Sequence, residues 1–169
     1  MPASAPLPHD PIDLAKAHWR AAGWEDSTDG MALITSIMRT QQVFLARVET
    51  VLRPRGLTFA RYEVLMLLRF SRTGVLPIGK VGERLQVHPA SVTNAVQRLE
   101  LDGFVKRSTN PADARSVLVT ITAKGRATTE RVTKQLNADV FSIVPGTAKD
   151  QQDVYKKLKS MRRAFGDFE

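Results

Sequence analysis

The chain contains no cysteine. Disulfides, thiolate metal sites, cysteine nucleophiles and thiol redox switches are therefore excluded. Histidine is scarce. His9, His18 and His88 are scattered, with no paired motif of metal-ligand spacing and no phosphate-binding glycine loop. Nothing here reads as an enzyme, and no cofactor or metal is expected. Long apolar runs are also missing. The longest stretch free of Asp, Glu, Lys and Arg is residues 85–97, which holds Gln, His, Ser, Thr and Asn. A membrane-spanning helix needs about 20 apolar residues, so none is expected. Residues 1–9 lack a basic start followed by an apolar block, so no signal peptide is expected either. The expectation is a cytoplasmic protein.

Acidic residues are the minority among the charges. Seventeen Asp and Glu stand against 25 Lys and Arg, leaving a formal +8 and a pI near 10.2. Such a balance favours a polyanionic partner, most simply nucleic acid. Between residues 104 and 126, Lys106, Arg107, Arg115, Lys124 and Arg126 are opposed only by Asp113. The 169 residues are 43% hydrophobic and 25% charged, enough to bury a core in ordinary globular fashion.

Pro2, Pro6, Pro8 and Pro11 among small residues predict a flexible arm over residues 1–10. Ile12, Ala15, Trp19 and Ala22 recur at helical spacing, and Gly23 can end that helix. Asp29 is a candidate cap for a second helix, whose stripe is Ile34, Ile37, Gln41, Leu45, Val48 and Leu52; Pro54 stops it. Thr58 caps a third helix with Tyr62, Leu65, Met66 and Leu68 inward. Gly74 and Pro77 read as a break. Ile78, Val81 and Leu85 give a short fourth helix, and Pro89 opens a fifth that runs to about Leu101.

Periodicity then changes. Residues 104–107 and 116–121 read as two strands joined by a turn-rich stretch, residues 108–115. Thr122 caps a long helix with Val132, Leu136, Val140 and Ile143 on one face; Pro145 and Gly146 break it. A last helix carries Val154, Leu158, Met161 and Phe165.

Two short helices followed by a hairpin are the parts of a winged helix-turn-helix. The fold class expected is mainly α with a small β-hairpin wing, an α+β winged helix-turn-helix. Residues 57–122 form the DNA-binding domain, and residues 11–56 and 123–169 supply helices for a dimerisation region. On the fifth helix Val92, Val96 and Leu99 fall together at 100° per residue, with Ala95 beside them. The opposite arc carries Ala90, Asn94, Gln97 and Arg98, flanked by Ser91 and Thr93. Asn and Gln can pair with adenine and Arg with guanine, while Ser and Thr reach phosphates. His88 and Pro89 start that helix beside the nucleic acid, and Lys106 and Arg107 follow it on the basic hairpin. Gly82 is placed for close approach of the two helices.

The run LTFARYEVLMLL, then IGKVGERLQVHPASVTNAVQRLELDGFVKRSTNPADARSVLVTITAKGR, resembles the MarR family of bacterial transcription regulators. The resemblance is close over residues 57–126, and its most specific parts are RLELDGFVKR and the DAR of the hairpin followed by VTITAKGR. It implies a homodimer whose terminal helices interlock and whose two winged helices meet a palindromic double-stranded DNA operator. It implies that Arg115 reaches the minor groove or its phosphates while Asp113 holds Arg115 in position. It also implies a possible small effector, aromatic or lipophilic, for which Trp19, Trp24, Met38, Tyr62 and Met66 are the candidate lining. Where a urate-responsive branch carries Asp on the third helix and Arg on the recognition helix, this sequence has Glu63 and Ala95. The competing reading is a winged helix for non-specific DNA packaging or protein–protein contacts, with no effector.

Overall fold

The computed structural model describes residues 7–169. Of the arm expected over residues 1–10, residues 1–6 lie outside the described residues. The element order is α1 (Pro11–Ala21), α2 (Thr28–Leu52), α3 (Phe59–Phe70), β1 (Val75–Pro77), α4 (Ile78–Leu85), α5 (Pro89–Leu101), β2 (Val105–Asn110), β3 (Asp113–Ile121), α6 (Ala123–Asp139) and α7 (Ala148–Ala164). The mainly helical fold with a small β wing is therefore the one the sequence predicts. Among the described residues no helix is long and apolar enough to cross a membrane.

The chain divides into two compact units, one ending at Arg47 and the other running Val48–Glu169. In the first, Asp10 caps α1 by accepting from Ile12 N–H, and Pro11 occupies the first turn. Trp19 meets Trp24 edge-on with ring centroids 5.0 Å apart. The expected cap at Asp29 is displaced. A single 3-10 turn over Glu25–Ser27 leads straight into α2, which starts at Thr28, so Asp29 sits inside its first turn. There its charge suits the helix N-terminus, and Lys16 pairs with it at 3.2 Å.

The second unit holds one continuous core. Val48, Val51 and Leu52 join Leu57, Leu65, Leu68, Val81, Val92, Val96, Leu99, Val119, Val132 and Leu136. Thr58 caps α3 through Arg61 N–H, and Thr122 caps α6 through Gly125 N–H, as expected. Gly82 bears out the close-approach reading: a Cβ there would lie 3.3 Å from a Val92 methyl.

Three further local expectations are corrected. The break at Gly74 and Pro77 contains a strand. Residues 75–77 pair antiparallel with β3, in a sheet of order β1-β3-β2, because β3 has a free edge that short apolar Val75 and Leu76 can fill. The hairpin strands are longer than expected. Ser108, Thr109 and Asn110 belong to β2, Asp113–Arg115 lie in β3, and only Pro111 and Ala112 remain as the turn. The polar residues of this stretch sit in an exposed ladder, where backbone pairing and not apolar alternation sets the structure. Arg115 is thus the third residue of β3. Lastly, Ile143 leaves the face of Val132, Leu136 and Val140. The helix ends at Asp139, a 3-10 turn takes Phe141–Ile143, and Ile143 is 54% exposed.

On α3, Glu63 is half-buried, and burial pushes its carboxyl above the usual carboxylate range. A group whose folded value is raised stabilises fully below its unfolded value and loses that contribution as pH rises through the folded one. Glu63→Gln is therefore expected to melt higher than the parent at pH 7. The gap should close below about pH 4, where both states protonate the parent's carboxyl. Thermal melts at the two pH values check it; a gap of the same size at both would remove the titration as its cause.

Candidate nucleic-acid interface

The fifth helix divides into a buried and an exposed face along the expected lines. Val92, Val96 and Leu99 are buried, Ala95 packs partly against the core, and Ala90, Ser91, Thr93, Asn94, Gln97 and Arg98 are exposed. His88 is the N-cap of α5: its Nδ1 accepts from Ala90 N–H at 3.2 Å. Gln86 ends α4 in a left-handed conformation (φ 52°), which turns the chain between the two helices. Its side-chain Nε2 donates to the carbonyl of Asp167 at 2.9 Å. Thr93 spends its hydroxyl hydrogen on the Pro89 carbonyl at 3.0 Å, so toward solvent it offers a lone pair and a methyl. Beside this face a groove is lined by Thr58, Ala60, Arg61, Ser91, Asn94 and Arg98.

The wing is a ladder in which Lys106 stands opposite Thr120 and Arg107 opposite Val119. Lys106 and Arg115 are exposed. Asp113 reaches Arg115, but at the backbone: its Oδ1 accepts from Arg115 N–H at 3.0 Å. The carboxylate thus shapes the hairpin from which the guanidinium projects. The register shifts at Thr109 and Asn110, where the tight turn begins.

Three contacts of this surface escaped sequence reasoning. Glu100 binds Arg107 twice, accepting from Nε at 2.6 Å and from the backbone N–H at 3.0 Å. Those bonds hold the Glu100 carboxyl below the usual carboxylate range. Asp102 pairs with Arg61 at 3.3 Å, and Lys124 Nζ donates to the Asp102 carbonyl at 2.6 Å. Both place a cation at the C-terminal end of α5. For the first, the sequence offers an acid seven residues before a base, a spacing that pairs them only once the direction of the chain out of Gly103 is known.

The candidate effector residues fall in different settings. Trp19 and Trp24 touch each other, and Met38 is 59% exposed on α2. Tyr62 is buried, with its hydroxyl 3.0 Å from Thr133 Oγ1; the same Thr133 hydroxyl lies 3.4 Å from the Met66 sulfur.

Residues 57–117 match the family described as MarR. The chain is 48% identical to a MarR family transcriptional regulator of Streptomyces coelicolor, Sco5413. That structure superposes with a TM-score of 0.76 over 83% of this chain and 98% of the other. A MarR variant from E. coli complexed with operator DNA is 25% identical, with a TM-score of 0.73 over 80% of this chain and 96% of that one. Among curated relatives, the organic hydroperoxide resistance transcriptional regulator of Bacillus subtilis is 30% identical over 62% of this chain and 67% of its own length.

Proposed function

The chain belongs to the MarR family of transcriptional regulators, and from that premise we propose that it represses transcription by holding a palindromic operator as a homodimer, releasing it when a small aromatic or lipophilic ligand binds. One observation carries the reading. An exposed helix face of small and uncharged hydrogen-bonding side chains, closed by Arg98, adjoins a basic two-stranded wing. In this reading α5 enters the major groove. Asn94 and Gln97 read adenine, Arg98 reads guanine, and Ser91, Thr93 and the helix start at His88, Pro89 and Ala90 lie against the backbone. Lys106 contacts phosphate, and Arg115, on the hairpin shaped by Asp113, reaches the minor groove. The E. coli relative seen with operator DNA supports it.

Residues 57–122 carry the DNA contacts, and helices on either side carry dimerisation. Ile34, Ile37 and Met38 on α2, and Val154 and Leu158 on α7, are exposed in a single copy. A second copy related by a two-fold axis covers such stripes and sets half-sites about 34–36 Å apart. Trp19, Trp24, Met38, Tyr62 and Met66 are the effector candidates; a ligand reaching Tyr62 must compete with Thr133 for its hydroxyl. The protein binds and does not catalyse, and it works in the cytoplasm at the nucleoid.

The test begins with selection of a preferred duplex from a random pool. Asn94→Ala and Arg98→Ala are each expected to cost about 1–3 kcal/mol of preference over random DNA, the worth of one bidentate base contact. Lys106→Ala should weaken binding to every duplex and flatten the salt slope by about one unit. Equal losses on selected and random DNA for Asn94→Ala would show that this face does not read bases.

A further inference from the structure

An acid beside a DNA-facing helix ordinarily repels phosphate, so Glu100 needs an account. It sits in the last turn of α5, two residues beyond Arg98. Both its oxygens are taken by one residue of the next element: Oε2 by Arg107 Nε at 2.6 Å, Oε1 by Arg107 N–H at 3.0 Å. β2 is an edge strand, because the sheet order is β1-β3-β2. Arg107 N–H is therefore an edge donor turned away from β3, and the carboxylate occupies it. The other ties across this junction stop earlier in the chain. Lys124 and Arg61 hold Asp102, and Thr122 Oγ1 donates to the carbonyls of Gly103 and Phe104. Gly103, with φ +74°, is the swivel between helix and strand. Glu100 reaches past that swivel into the strand itself.

We propose that Glu100 is a positioning residue for DNA binding: through both bonds to Arg107 it locks the wing to the end of α5, fixing the angle between reading helix and wing. The inference rests on the DNA-binding reading above. A major-groove contact and a minor-groove contact can be made together only if the elements that carry them keep one mutual orientation. The pair also cancels the acid's charge at the interface. It gives Arg107, expected from the sequence to touch DNA, a different job.

The proposal and simple electrostatics predict opposite signs. Removing an acid from a DNA-facing surface should tighten binding if Glu100 is only a charge. Glu100→Ala is instead expected to lose at least tenfold in affinity for the selected duplex. Hydroxyl-radical protection should vanish in the minor groove under the wing and persist around α5. Arg107→Ala should lose similarly, and the double variant should be little worse than the worse single one, since either change opens the same clamp. Tighter binding by Glu100→Ala, or additive losses in the double variant, would overturn the proposal. A second readout needs no DNA. In the free protein, hydrogen exchange at the Arg107 amide and through residues 108–115 should accelerate in Glu100→Ala while the α5 amides keep their protection. Unchanged exchange in the wing would refute the clamp. If the parent shows no preferred duplex, the DNA-binding reading fails, and the exchange result still decides whether the clamp exists.

Discussion

A single methyl group added at Gly125 is expected to cost about 3 kcal/mol or more, enough to leave the second unit unfolded or barely folded. Gly125 is the third residue of α6 and has ordinary helical backbone, so conformational freedom is not the reason it is glycine. The reason is contact. A Cβ there would stand 2.2 Å from the carbonyl oxygen of Phe104 and 2.9 Å from a side-chain carbon of Ile121. That oxygen cannot move aside cheaply, because it accepts from Thr122 N–H at 3.0 Å and from Thr122 Oγ1 at 3.1 Å. Phe104 and Ile121 are themselves buried. Gly79→Ala is the control. It is also helical, with nothing within 4 Å of its would-be Cβ. It should leave the melting temperature unchanged or raise it, within the ~1 kcal/mol that separates the two residues in helix propensity. Equal melting of Gly125→Ala and the parent would mean that α6 slides away from Phe104 and Ile121 at little cost.

Leu158→Arg is expected to abolish the dimer. Val154, Leu158, Met161 and Phe165 follow one another at four, three and four residues, one stripe along α7. Val154 and Leu158 are 56% and 37% exposed in a single copy, and Phe165 just beyond the helix is 88% exposed. In a two-fold interface one substitution enters twice, so two guanidiniums would be buried without partners at a cost of several kcal/mol. Sedimentation should show the variant as monomer or aggregate at micromolar concentration. Affinity for a full palindrome should fall toward that of a half-site. Lys156 lies about 200° around the helix from Val154, so Lys156→Glu should remain dimeric. A Leu158→Arg variant that sediments as the parent does would take α7 out of the interface.

What the sequence made legible follows from how local each cause is. The fifth helix was visible because its opening signal, Pro89, and its two faces all lie within thirteen consecutive residues. The caps at Thr58 and Thr122 were visible for the same reason. β1 was not. Three residues ending in proline carry no period, and only the free edge of β3, more than forty residues later, makes them a strand. The early end of α6 was hidden too. Val140 and Ile143 continue a helical stripe, yet Val140 is buried as a cap outside the helix and Ile143 swings out. Of the interface, the residue types on α5 were readable, whereas the Glu100–Arg107 pairing depends on the direction the chain leaves Gly103. Asp113 shows the same limit: proximity to Arg115 was evident, but that it grips the backbone N–H was not.

The third strand has a mechanical consequence. β3 is flanked on both sides, so Val119 lies between Leu76 of β1 and Arg107 of β2. The helix pair α4 and α5 leaves the sheet at Pro77 and returns at Val105, and both points are riveted to the same strand. The segment is a closed circuit, not a cantilever. Lengthening the α4–α5 turn would tax it only logarithmically, whereas a break in β3 would release both ends at once. A circuit fastened this way transmits displacement as a whole. If an effector acts as proposed above, residues 75–121 are expected to shift together, with the distance between the two fifth helices of the dimer, and not the tilt of one helix, as the quantity that changes.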